Sequence, residues 1–245
     1  KEFENKFSSS IRDLRTFEYE CTSLILFLDS TAVKLANNPY LLLEGEAGIG
    51  KSHLLADVVS TRLDNEIGTI FILGQQLVTE ESPWSQIFKL LQLNSTSQDF
   101  LSKLNLYGKE SEKRIVIFID AINEGKGNLF WTNFINSFIE EIKQYEWLGL
   151  VLSIRSTYKN LTLLPEQITV NSFIVYKHLG FQNVEYDAIN MFFDNYEITR
   201  PVVPLLNPEF KNPLFLKIFC EGINNNGLKE IPKGLKGITS ILEYY

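Results

Sequence analysis

Gly45-Glu46-Ala47-Gly48-Ile49-Gly50-Lys51-Ser52 satisfies the spacing G-x-x-x-x-G-K-[ST] at every specified position, and that spacing describes a loop whose backbone cradles phosphates. Its flanks suit it. Tyr40 to Leu43 is an apolar, strand-like run entering the loop, and His53-Leu54-Leu55-Ala56-Asp57-Val58-Val59 leaves it as a helix-like run, the strand, loop, helix order such a loop needs. Glycines at 45, 48 and 50 allow backbone conformations that a side chain would forbid, so successive N–H groups can turn inward on an anion. A helix starting near Lys51 adds its positive end. In this arrangement the stretch from Gly45 to His53 is the nucleotide-contacting segment. Lys51 reaches the β- and γ-phosphates as a point charge, and the Ser52 hydroxyl ligates Mg2+.

Working outward, Ile115-Val116-Ile117-Phe118-Ile119 is a continuous β-branched and aromatic run, too apolar for an edge and expected as a central parallel strand. It ends in Asp120, the pattern of a Walker B element. Ligand groups gather at the C-terminal ends of parallel strands, so Asp120 is expected beside the loop, holding Mg2+ directly or through its water shell. Glu124, four residues on, is the candidate for orienting or deprotonating an attacking water. Leu148 to Ile154 reads as the next buried strand, and Arg155 at its end is a candidate for neutralising a γ-phosphate. Thr69 to Leu73 and Phe173 to Tyr176 complete five strands.

Between them the apolar spacing predicts helices at Pro83 to Leu91, Phe100 to Tyr107 and along Trp131, Phe134, Phe138, Ile142 and Tyr145. Upstream, Ser8-Ser9-Ser10 is expected to cap a short helix, and a separate helix is expected from Cys21 to the stop at Asn37-Asn38-Pro39. The alternation predicts an α/β fold with a mostly parallel five-stranded sheet and helices on both faces, and with the phosphate-loop motif the expected fold is a P-loop NTPase three-layer sandwich, ASCE/AAA+-like. After Gly180 the pattern changes to helices at Val184 to Tyr196 and Leu214 to Ile223, with Pro201, Pro204, Pro208 and Pro213 between them. The expected organisation is therefore a core over residues 1–180, including the N-terminal helical segment, and a small helical lid over 181–245.

Composition narrows the rest. The 245 residues carry 44% hydrophobic content and a net charge of −7, enough apolar surface for a sizeable core. The acidic balance argues against direct nucleic-acid binding or an anionic-membrane footprint. No apolar run approaches the roughly eighteen residues of a membrane span. Cys21 and Cys220 have no metal-ligand or disulfide spacing, which fits a reducing, cytoplasmic setting. The chain starts without Met and ends on Leu242-Glu243-Tyr244-Tyr245, so a piece of a longer polypeptide is expected.

GEAGIGKS, IVIFIDAINE, the strand ending SIRSTY, the segment His178-Leu179-Gly180-Phe181 and the stretch Asn212-Pro213-Leu214-Phe215-Leu216 together resemble the STAND class of P-loop ATPases. Within that class they are most similar to the NACHT-like bacterial antiviral (Avs-type) proteins. The resemblance covers the chain from about Tyr40 onward. It implies ATP rather than another nucleotide, ATP/ADP exchange as a switch, fused effector and sensor domains outside this chain, a winged-helix domain beyond its end, and homo-oligomerisation of the activated protein. It also implies that Pro213 packs on the adenine and that Arg155 senses the γ-phosphate. Where relatives often carry a second acid, this chain has Asn123, which leaves Glu124 as the sole candidate base and implies slow hydrolysis. His178 is read as a hinge or core residue.

Two other classes fit the loop. A small-molecule or nucleoside kinase needs several lid arginines, and the region after residue 180 supplies Arg200 and few others. A non-enzymatic module in which nucleotide only holds a shape predicts binding without turnover.

Overall fold

The computed structural model describes residues 2–200 and 208–231. Pro201, Pro204 and the end of the expected lid, residues 232–245, lie outside the described residues. The chain opens with helices α1 (Glu2–Leu28) and α2 (Thr31–Asn37), followed by strand β1 (Tyr40–Gly45), α3 (Lys51–Asp64), β2 (Thr69–Leu73), α4 (Pro83–Leu90) and α5 (Ser97–Ser111). Next come β3 (Ile115–Asp120), α6 (Gly127–Lys143), β4 (Leu148–Arg155), α7 (Lys159–Thr162), α8 (Pro165–Val170), β5 (Ile174–Lys177), α9 (Glu185–Asn195) and α10 (Pro213–Asn225).

The five strands form one sheet in the order β2-β3-β4-β1-β5, and every pairing is parallel. The expected α/β architecture is the one adopted. Alternation along the strands sends side chains to opposite faces. Leu42, Ile117, Ile119, Leu150 and Leu152 join the core built with α4, α5 and α6, which contains Trp84, Trp131, Ile135 and Phe138. Leu43 and Phe118 pack instead with Leu55 and Val59 of α3. Helices therefore lie on both faces, with the larger core on the α4–α6 side.

A second apolar cluster gathers Ala188, Ile189, Phe193, Ile198, Phe210, Leu216, Phe219 and Cys220 from α9, α10 and the segment before α10. Burial there pushes the Cys220 thiol up to about 12.

The N-terminal expectation needs correction. Instead of a short helix and a later one, the chain forms a single 27-residue helix, α1. No Gly or Pro interrupts residues 2–28, and serine costs a helix interior only about 0.5 kcal/mol relative to alanine, too little for Ser8 to Ser10 to end it. The break falls at Asp29–Ser30, where Ser30 caps α2 by accepting from the Val33 N–H. The outward-turned side chains of α1 include Phe7, Leu14, Phe17 and Leu24. The short helices α7 and α8 between β4 and β5 were also not foreseen. Among the described residues no helix is long and apolar enough to cross a membrane.

Candidate functional site

Strand β4 lies between β1 and β3, so the loop after β1 and the tips of β3 and β4 share one end of the sheet. The register places Gly45 opposite Arg155. β1 runs one residue into the loop motif. The loop then turns through Gly48 at φ +69° and Gly50 at φ +97° before α3 starts at Lys51. Both values lie in the left-handed region, which a residue with Cβ enters at a cost of about 1–2 kcal/mol.

Lys51 is only 8% exposed. Its Nζ donates to the Gly45 carbonyl at 2.8 Å and to the Glu46 carbonyl at 2.9 Å. An ammonium has three donors, so one remains beyond these two. Burial, and then the nearby Arg155 guanidinium, pull Lys51 below its ordinary value, while Asp120, Glu46 and Glu124 act in the opposite sense. The loop lysine, the carboxylates of β3 and its following turn, and the arginine at the tip of β4 thus lie in one electrostatic neighbourhood. Ser52 and His53 occupy the exposed first turn of α3.

Asp120 is 4% exposed. Its Oδ1 accepts from the Ser153 hydroxyl, and that hydroxyl in turn accepts from the Ala121 N–H at 2.7 Å. Ser153, fully buried on β4, therefore fixes both the carboxylate and the backbone that follows it. The turn passes through Ala121 at φ +53° and is tied to β4 again by the Ile122 N–H donating to the Ser153 carbonyl at 2.9 Å. Glu124 Oε1 accepts from Arg155 Nη2 at 2.9 Å, and Asn123 Oδ1 accepts from the Arg155 backbone N–H at 3.0 Å. Asn123 is thus a brace between the turn and β4.

A buried carboxylate bonded to a neutral hydroxyl is a chemically suitable partner for a hard cation, because desolvating it without a counter-charge is costly. Asp120 fits a divalent cation in this sense, while Ser52 is an exposed hydroxyl at the start of α3.

The segment after β5 and the start of α10 cover the loop from the other side. The His178 N–H donates to the Glu44 carbonyl at 2.7 Å. The His178 ring faces Gly50, where an added Cβ would lie 3.5 Å from Nε2. Burial, and next the charge of Lys51, lower the His178 pKa. This half-buried ring belongs to the wall of the loop, not to a core. Pro213 opens α10, and its Cγ would lie 3.6 Å from a Cβ on Gly50. Asn212 donates from Nδ2 to the Ala47 carbonyl at 3.0 Å, and the Leu214 N–H donates to the Gly48 carbonyl at 3.2 Å.

Sequence reading did not assign Ser153, Asn123 or Asn212 to the site. The local signal at Asn212 was Asn212-Pro213, a helix-capping pair, which says nothing of the loop it touches.

Among solved structures the chain is similar to Cdc6p from Pyrobaculum aerophilum, with 14% identity and a TM-score of 0.48, covering 87% of this chain and 63% of that one. It is similar also to AMPPCP-bound DnaA from Aquifex aeolicus, with 13% identity and a TM-score of 0.45, covering 67% and 48%. A third is domain III of the Thermotoga maritima replication initiation protein DnaA, with 16% identity and a TM-score of 0.46, covering 87% of each chain. The chain spans less than two thirds of the length of the first two. No protein-family model and no curated protein sequence matches it.

Proposed function

We propose that this chain is a Mg-ATP-binding P-loop ATPase module that turns over slowly and acts as a switch within a larger protein. The observation that carries the reading is Lys51: a buried ammonium anchored on the two carbonyls at the start of a glycine-bent loop, with Asp120, Glu124 and Arg155 in its field. A buried cation with a spare donor beside a glycine-bent loop at the start of a helix matches a polyphosphate in charge. Ser52 and Asp120 would hold Mg2+, which neutralises phosphate charge when bound. Glu124 would orient water, Arg155 would meet the γ-phosphate, and Pro213 would flank the base.

The motifs that resemble STAND proteins support the finer reading. In it, residues 181–245 act as a lid, nucleotide state controls homo-oligomerisation, and fused sensor and effector domains serve bacterial antiphage defence in the cytoplasm.

The Glu124–Arg155 pair favours a second reading, in which nucleotide is held with little turnover, because the candidate base is occupied by the candidate sensor. Phosphate release from Mg-ATP separates the two. The ATPase reading expects release by the wild type and a fall of about 100-fold or more in Glu124→Gln with binding kept, a loss in the range general-base catalysis contributes. Equal release from wild type, Glu124→Gln and Lys51→Ala would contradict it.

A further inference from the structure

Asn212 lies more than 150 residues from the loop in sequence, yet both the oxygen and the nitrogen of its amide are engaged at the loop's back. Oδ1 accepts from the Leu214 N–H at 3.0 Å and the Phe215 N–H at 3.3 Å, capping α10, while Nδ2 donates to the Ala47 carbonyl. A flipped amide would set oxygen against carbonyl and N–H against N–H, so these partners define its orientation. The Leu214 N–H then holds the Gly48 carbonyl. The fit is close: a Cβ on Gly48 would lie 2.8 Å from Leu214 Cδ2 and 3.3 Å from Asn212 Oδ1.

In a trans peptide the C=O of one residue and the N–H of the next point to opposite sides. Holding the Ala47 carbonyl toward Asn212 therefore aims the Gly48 N–H away from α10, and holding the Gly48 carbonyl does the same for the Ile49 N–H. These are loop donors of the kind that cradle phosphates. At the other end of the loop Lys51 fixes the Gly45 and Glu46 carbonyls. The loop's peptides are thus oriented from both ends, by its own lysine and by a residue of the helical region.

We propose that Asn212 is a positioning residue for phosphate binding: its side-chain amide, bridging α10 and the Ala47 carbonyl, presets the Gly48 and Ile49 N–H groups for the diphosphate portion of a nucleotide. This rests on the reading of the chain as a nucleotide-binding module. It also makes the contact reciprocal, since whatever moves the start of α10 loosens the phosphate cradle, and bound diphosphate holds α10 in place.

Asn212→Ser separates the two jobs of the amide, because serine still caps a helix but lacks the donor that reaches Ala47. Titrations with ATP, ADP and adenosine on the whole chain, alongside thermal melts, test the proposal. The expected result is a melting temperature close to wild type and affinities for ATP and ADP about tenfold weaker, the order expected when hydrogen bonds to charged oxygens are lost, with adenosine unchanged. Amide hydrogen exchange of residues 44–52 without nucleotide is expected to speed up in the same variant. Asn212→Ala is expected to repeat the affinity loss with lower thermal stability. Wild-type affinity for ATP and ADP in Asn212→Ser, with unchanged exchange, overturns the inference. If the wild type binds no nucleotide, the functional reading fails, while the exchange comparison still reports on the bridge.

Discussion

The loop after β1 and the tips of β3 and β4 stand at the same end of one sheet, but they are built from different parts of the polypeptide. In the loop the structure belongs to the main chain: glycines at positive φ and carbonyls held by Lys51, Asn212 and Leu214. At the strand tips it belongs to side chains reaching across the sheet, Ser153 to Asp120 and Arg155 to Glu124, with Asn123 holding the Arg155 backbone. The difference teaches where each half is vulnerable. A loop made of backbone is broken by an added atom, and a pair made of side chains by a removed one.

The largest effect is expected from Gly48→Ala. An added methyl group meets Leu214 at 2.8 Å in a left-handed backbone, and left-handed strain plus overpacking should cost about 3 kcal/mol. Melting should fall and, on the proposed reading, ATP affinity with it, with or without Mg2+, because that reading makes the loop backbone the binding surface. Ser153→Ala should break the other half. It leaves a buried carboxylate oxygen and the Ala121 N–H without their partner, a loss of about 2 kcal/mol in chemical denaturation. ATP affinity measured without Mg2+ should stay near wild type, and the gain on adding Mg2+ should shrink. If both variants lose affinity alike in metal-free buffer, the division between loop and tips is wrong.

The smallest effect concerns His178 in the loop wall. Its pKa in the folded chain is below the ordinary 6.5, so between those values the unfolded chain binds more protons and stability falls as pH falls. His178→Gln removes that dependence. The wild type should lose stability relative to the variant as the pH drops below about 6.5, and parallel melting curves across that window would show that neither burial nor the charge of Lys51 shifts the ring.

The same contrast explains what the sequence made legible. The loop was readable because a backbone nest needs glycines and a lysine at fixed spacing within one short stretch, and the buried parallel strands announced themselves as apolar runs. Asp120 and Arg155 were findable as polar residues at strand ends, and Glu124 as the acid four residues past one of them. Their mutual pairing was not, since Asp120 and Ser153 are 33 positions apart and Glu124 and Arg155 are 31, and no local pattern records which side chains meet. Asn123 looked like a missing acid until its bond to the Arg155 backbone gave it a structural task. The continuity of α1 was missed for a different reason: serines were given the weight of a cap, although nothing near them breaks a helix.

Calorimetric titration of Mg-ATP into the wild-type chain and into Lys51→Ala tests the central claim most directly. The account predicts saturable binding to the wild type and a loss of about 100-fold in the variant, the scale of removing a buried, charge-assisted phosphate contact. Absence of binding to the wild type, or equal affinity in the two proteins, would contradict it.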